Sequence, residues 1–319
     1  MRVLVAGGTR FVGRHLVEFL LADGHDVTLF HRGQTNRDVF PEAARVLGDR
    51  DDPPAALGGR DWDWVFDISC YTPRAAERLV RLVGPRTGRY VFCSTGSVYR
   101  RPAVDTPEDF ERWPATPENL DSPDGAVAYG ARKAGAEDAV TGLGPQMGME
   151  WSIVRPMLVY GPWDTSDRYH WWLHRVRAGD VVLPEGPQGM LHQVYVKDLA
   201  RIFLAAARAQ HAAGRVYNGA ATRPVPLMEW IGTAAAVLGT RPRVRAVAPE
   251  ALAAAGVDGL PCWTRGEPWT ASTRRIQDDF GFTATPFAQT VAEFYAHMAA
   301  EDRPIKEAVA PDVLARLLA

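Results

Sequence analysis

Tyr129-Gly-Ala-Arg-Lys133 sets a phenol and an ammonium four residues apart, which on a helix is one turn and therefore one face. A tyrosine hydroxyl titrates near pH ~10 and is a poor base at neutral pH. A lysine cation beside it lowers that value by favouring the phenolate, so the spacing suits proton transfer to or from an alcohol oxygen. Exposed helix faces without chemistry show the same interval, so the pair needs support from elsewhere in the chain.

That support stands at the amino end. Val3-Leu4-Val5-Ala6 followed by Gly7-Gly8-Thr9-Arg10-Phe11-Val12-Gly13 reads as a strand, a glycine turn and a helix start. Backbone N–H groups and the helix dipole can cradle a pyrophosphate there, which makes Gly7, Thr9, Arg10, Phe11, Val12 and Gly13 candidate contacts of a dinucleotide. Arg10 occupies the centre of the turn and brings a guanidinium suited to phosphate. The next strand ends at Phe30, and His31-Arg32 fall where a carboxylate would accept the adenine ribose hydroxyls. With no acid to repel a 2'-phosphate, Arg10, His31 and Arg32 tilt the expectation for NAD(P) toward NADP. Gly48-Asp49-Arg50 suits an adenine-edge contact from Asp49 with Arg50 beside it, a simple polar turn being the alternative.

The elements that must position these groups follow a βαβ rhythm. Short apolar runs at Val3–Ala6, Val27–Phe30, Trp64–Ile68, Tyr90–Cys93 and Ile153–Val154 alternate with amphipathic stretches at Val12–Ala22, Arg74–Val83 and Ala128–Val140. The fold class expected is α/β, a Rossmann-type doubly wound parallel sheet that binds ligands at the carboxyl ends of its strands. After Pro156 the rhythm breaks, resumes at Val194–Ala207 and breaks again beyond Asn218. The expected division is therefore an NAD(P)-binding domain of residues 1–156 plus 193–217, and a smaller, discontinuous substrate-binding lobe of 157–192 plus 218–319. The proline-rich, acidic stretch from Arg100 to Gly125 is long for a connector and is expected to form a lid over the site.

The 319 residues carry a formal net charge of -2, which provides no global field for nucleic acid or an anionic membrane. Small-molecule chemistry is the better expectation. Three cysteines without a CxxC pair signal neither a disulfide framework nor a metal site. With no leader ahead of the first apolar run and no apolar stretch of about 18 residues, a cytoplasmic location is expected.

The glycine turn, the Tyr129/Lys133 pair and Val-Arg155-Pro156-Met-Leu-Val-Tyr160-Gly161-Pro162 occur in the order and spacing of the extended short-chain dehydrogenases/reductases. Over about the first 220 residues the chain resembles their NAD-dependent epimerase/dehydratase family. The resemblance implies that Cys93-Ser94-Thr95-Gly96-Ser97-Val98-Tyr99 supplies the residue bonded to the reacting oxygen, Thr95 first and Ser94 second, with Tyr99 structural. It implies hydride transfer between a substrate carbinol and the nicotinamide, with Tyr129 moving the proton, Lys133 holding the nicotinamide ribose and the cofactor regenerated in place. Asp198 in Val194-Tyr-Val-Lys-Asp198 would cap a helix. Relatives of this kind often form homodimers through two helices of the sheet domain.

Three departures bear on the substrate. Gly96-Ser97 follow Thr95 where hexose dehydratases carry Asp-Glu, so Cys70, Tyr71 and His170 become candidates for another acid or base. Leu158 replaces a sugar-contacting Asn, and Leu191 replaces an arginine that grips a nucleoside diphosphate. The segment Trp163 to Arg175 offers Arg168, His170, Trp171 and Trp172 instead, either as a stacking surface for a planar group or as an amphipathic helix that buries its indoles. The expected reaction is epimerisation or dehydration of a sugar-like ring: a nucleoside, nucleotide sugar or glycoside. The alternatives are an NADPH-dependent ketoreductase and, because the opening also resembles chloroplast stem-loop-binding proteins, an RNA-binding protein on the same fold.

Overall fold

The order of elements in the computed structural model opens with β1 (Arg2–Ala6), α1 (Phe11–Ala22), β2 (Asp26–His31), β3 (Ala44–Leu47), β4 (Trp62–Asp67), α2 (Pro73–Val83) and β5 (Thr87–Cys93). It continues with α3 (Pro117–Leu120), α4 (Gly125–Leu143), β6 (Glu150–Pro156), β7 (Leu158–Tyr160), α5 (Arg168–Ala178), β8 (Asp180–Pro184), β9 (Met190–Leu191), β10 (Gln193–Tyr195) and α6 (Val196–Arg208). Then come β11 (Arg215–Gly219), β12 (Val225–Pro226), α7 (Leu227–Leu238), β13 (Arg243–Val247), α8 (Pro249–Ala254), α9 (Arg274–Phe280), α10 (Phe287–Glu301) and α11 (Pro311–Leu318). The structure describes residues 1–101, 103–185, 190–257, 260–262, 267–301 and 309–318.

Seven strands form the central sheet in the order β11-β6-β5-β4-β1-β2-β3, and every pairing is parallel. The period-2 alternation of the strands divides the core into two layers. Val3, Val5, Trp64, Phe66 and Val91 pack with α1 and α6, whereas Leu4, Val65, Tyr90 and Phe92 pack with α2 and α4. Strand order reverses between β1 and β4, which opens a crevice at their carboxyl ends. A third core gathers side chains of α5, β8, α7, α10 and α11, among them Trp171, Trp172, Trp230 and Phe294. Among the described residues no helix is long and apolar enough to cross a membrane.

Helix α4 starts where a cap fixes it. Asp124 Oδ1 accepts from the Ala126 and Val127 N–H groups at 2.8 and 3.3 Å. One turn later Gly130 lets α4 press on the turn after β5, because a Cβ at this position would overlap the Ser97 carbonyl and the Trp113 ring.

The stretch from Arg100 to Gly125 is a brace, not the expected lid: none of its described residues lines the cavity at the crevice. It is bound on both sides. Thr106 N–H donates to Thr270 O at 3.0 Å, Ser272 N–H to Thr106 O at 2.8 Å, and Trp113 N–H to Val98 O at 2.9 Å. Beneath it runs a buried polar chain. Arg155 donates to Glu137 at 2.8 and 2.7 Å and to the Glu108 carbonyl at 2.7 Å; Tyr99 donates to Asn218 at 2.5 Å, and Asn218 donates to Thr106 O and Ser272 O at 3.0 and 3.1 Å. Burial alone would raise the Glu137 pKa, but Arg155 and Arg112 beside it hold the carboxyl below its usual value. A backbone paired in this way has little freedom to open.

Candidate active site

A cavity of about 820 Å³ lies at the sheet crevice, lined by the turns after β1, β2, β4 and β5, by α4, and by residues beyond Pro156. Gly7 and Thr9 to Gly13 form one wall. A Cβ at residue 13 would collide with the Gly7 carbonyl, so only glycine lets α1 begin directly against the turn. The start of α1 has no side-chain cap and no acid in its first turn, which leaves its N–H groups and positive dipole end facing the cavity. These features fit the pyrophosphate of a dinucleotide.

Tyr129 and Thr95 meet across this cavity. Thr95 Oγ1 accepts the Ser97 N–H at 3.2 Å and stands close enough to the Tyr129 hydroxyl to favour the phenolate. Burial outweighs that contact and pushes the Tyr129 pKa up to about 12, with Cys93 and Tyr71 raising it further and Arg168 opposing them. Lys133 is held from the sheet side. Its ammonium is buried and donates to the Cys70 and Cys93 carbonyls at 2.7 and 2.5 Å, beyond the ends of β4 and β5. Lys133 is not among the groups that move the Tyr129 pKa most. Lys133 still lines the cavity.

His31, Arg32, Asp49 and Arg50 also line the cavity, in different states. The His31 Nδ1 accepts the Gly33 N–H at 3.0 Å, while burial and the nearby Arg45 lower its pKa and keep it neutral. Arg32 is exposed, like Arg10. Asp49 Oδ1 accepts the Asp51 N–H at 2.9 Å and so builds its own turn. Arg50 is engaged by the fully buried Asp67, which also accepts from the Tyr90 hydroxyl at 2.6 Å. Its guanidinium is therefore largely committed to the protein.

Of the six substrate candidates, the structure places Tyr71, Leu158 and Arg168 on the cavity wall and the other three elsewhere. Cys70 is buried under the sheet end, its thiol donating to Thr72 O at 3.4 Å and its pKa pushed up by burial to about 11; only its carbonyl serves the site, through Lys133. His170 and Trp171 belong to the third core, His170 edge-on to Phe294 at 4.6 Å and Trp171 edge-on to Trp172 at the same separation. Trp172 donates to Pro261 O at 2.8 Å. Helix α5 is thus the core helix of the two readings, because nearly its whole circumference is covered. Leu191 lies on β9 and its side chain is outside the described residues. Ser94 lines the cavity next to Thr95 and stands beside Glu137, whereas Tyr99 belongs to the buried chain. Asp198 caps no helix of its own; it accepts from the Thr285 N–H and hydroxyl at 2.8 and 2.7 Å and anchors the segment that leads into α10.

Several wall residues escaped sequence reading: Ser69, Asp164, Met190, His192 and Trp269. Only Ser69, directly after β4, had a local signal, since strand ends face the crevice. Among the described residues no cluster of three or more His, Cys, Asp or Glu is placed to hold a metal.

The sequence profile of the NAD dependent epimerase/dehydratase family matches residues 3–58 and 71–220. The chain belongs to this family. Within it, the chain is 27% identical over 234 residues to a chloroplast stem-loop binding protein of 41 kDa from Arabidopsis thaliana, covering 68% of this chain but only 58% of that protein. It is 28% identical over 282 residues to a 3-diazoavenalumate denitrifying reductase of a Streptomyces species, covering 82% and 88% of the two chains. In structure it resembles the UDP-glucuronic acid 4-epimerase of Bacillus cereus, solved with UDP-glucuronic acid and NAD, with a TM-score of 0.73 at 14% identity over 94% of this chain and all of that one. A UDP-galactose 4-epimerase gives 0.70 at 22% identity over 94% and 99%. The family's Rossmann-like architecture and dinucleotide turn are those described above.

Proposed function

We propose that the protein uses NAD(P) to oxidise a secondary alcohol of a small ring compound transiently and then epimerises that centre or eliminates water. The observation that supports this most directly is the convergence of the uncapped start of α1 and the Thr95–Tyr129 hydroxyl pair on one cavity. The bound nicotinamide would supply the hydride acceptor and donor. Tyr129 relays the proton at the reacting oxygen, and Thr95 holds both that oxygen and the phenol in line. Lys133, fixed by two carbonyls, offers its remaining N–H to the cofactor ribose. Gly7, Thr9 to Gly13 and Asp49 are assigned to the cofactor, with residues 1–156 plus 193–217 as its domain and 157–192 plus 218–319 as the substrate lobe. Preference for a 2'-phosphate rests on Arg10 and Arg32, since His31 contributes no charge.

One observation favours a second reading. With its pKa pushed up to about 12, Tyr129 is a phenol at neutral pH and a ready proton donor to a carbonyl oxygen, as a ketoreductase requires. The similarity to reductases points the same way. The plant stem-loop relative keeps RNA binding as a third possibility, to be tested by retention on a filter at physiological salt.

The test is mass spectrometry of product and cofactor after incubation with hydroxylated ring compounds in heavy water. An isomerised or dehydrated product with unchanged cofactor is the expected result. Stoichiometric consumption of NADPH would replace it with the ketoreductase reading, and no turnover together with RNA retention would remove both.

A further inference from the structure

On the side contributed by residues beyond Pro156, the cavity is walled by Met157, Leu158, Val159 and Met190. Among the described residues of that wall, Arg168 is the one permanently charged cation. His192 cannot join it, because its Nδ1 accepts the Ala271 N–H at 3.0 Å, its Nε2 donates to Ala221 O at 2.7 Å, and burial lowers its pKa. Asp164 stands nearby, accepting the Ser166 N–H at 2.8 Å, with burial moving its carboxyl toward the neutral acid. Arg168 is oriented by one bond, Nε to Ser166 Oγ at 3.1 Å. Its terminal nitrogens bond to none of the described residues, and its charge is felt at the Tyr129 hydroxyl.

Trp269 provides the second observation. It lines the same wall with its ring, while its Nε1–H is turned away from the opening and shut off from solvent. The indole is also held in place. Thr270 N–H donates to Ala103 O at 3.0 Å, Thr270 Oγ1 accepts the Asp105 N–H at 2.7 Å, and Ala271 is tied to His192. The brace from Arg100 to Gly125 thus positions Trp269 against the cavity.

We propose that Arg168 and Trp269 are the substrate-recognition pair, and that they select a hydroxy or oxo compound bearing one carboxylate on an apolar or aromatic ring. Arg168 takes the carboxylate in its planar fork, and the Trp269 ring packs against the ring of the same molecule. A nucleoside diphosphate would need further cationic or N–H partners, and the methionine, leucine and valine wall supplies none. The proposal rests on Tyr129 as the reacting group and names the substrate class of that site.

Calorimetry on the full chain saturated with NAD tests it, with 4-hydroxycyclohexanecarboxylate, the corresponding carboxamide and UDP-glucose as probes. The acid is expected to bind roughly ten- to a hundredfold more tightly than the carboxamide, the range of a charge-assisted pair. Arg168→Met should erase that difference, Arg168→Lys should restore part of it, and Trp269→Phe should weaken acid and carboxamide alike, with thermal melting confirming that each variant folds. Equal binding of acid and carboxamide, no binding of the acid, or tighter binding of UDP-glucose would overturn the proposal. Tyr129→Phe separates it from the catalytic reading: the variant should bind the acid normally and fail to turn it over, and undiminished turnover would end that reading while leaving the Arg168 result standing.

Discussion

At the glycine turn the cavity wall is made of backbone and of residues adjoining strand ends, Gly7 to Gly13 after β1 and Cys93 to Ser97 after β5; beyond Pro156 it is made of side chains delivered from 157–159, 164–168, 190–192 and 269. The first wall depends on local rules, the second on how distant segments happen to pack. A helix start presents its N–H groups wherever it begins, so a glycine turn set between a strand and a helix announces a phosphate site. Arg168 and Trp269 are 101 positions apart, and only the brace through Thr106, Thr270 and Ser272 brings the indole to the cavity.

Substitutions can set these two walls against each other. The largest effect is expected from Glu137→Ala, which strips the buried Arg155 of its carboxylate and should cost about 3–5 kcal/mol in urea unfolding. Because Arg155 also supports Glu108 O and Tyr99, the substrate wall should loosen with it and KM should rise, while NAD affinity at the glycine turn stays within about twofold. Equal damage to both functions would mean that the two walls are one mechanical unit. Gly13→Ala is the reverse experiment: the added methyl strikes the Gly7 carbonyl and should cost about 1–3 kcal/mol with a marked loss of NAD affinity, while substrate selectivity among variants that still turn over is unchanged. Unaltered NAD binding in a calorimeter would show that the turn does not carry the pyrophosphate. Asp124→Ala should have the smallest effect, about 1 kcal/mol of stability from the lost cap of α4, with a lower kcat because Tyr129 sits two residues beyond the capped N–H groups.

The same contrast explains what the residues revealed unaided. Thr95 was singled out only by the family resemblance, whereas the parallel sheet and the glycine turn at its crevice were legible because each is fixed by periodicity or by its distance from a strand end. The direction of the Lys133 ammonium was not, since it depends on two carbonyls from strands that sequence does not bring together. Cys70, His170 and Trp171 were misplaced for a related reason. Residue type alone does not tell an aromatic aimed at a cavity from one aimed at a core, and α5 is covered nearly all round. Trp269 had no signal at all, lying in an irregular stretch whose path is set by hydrogen bonds to residues 103–106.

The central claim is that the hydroxyl of Tyr129, paired with Thr95, transfers the proton at the reacting carbon–oxygen bond. Single-turnover kinetics of Tyr129→Phe with NAD(P) bound test it most directly. A loss of about 10²–10⁴-fold in the rate of cofactor reduction or oxidation, with cofactor affinity preserved, is the outcome the geometry requires. A rate equal to that of the unaltered protein would contradict it.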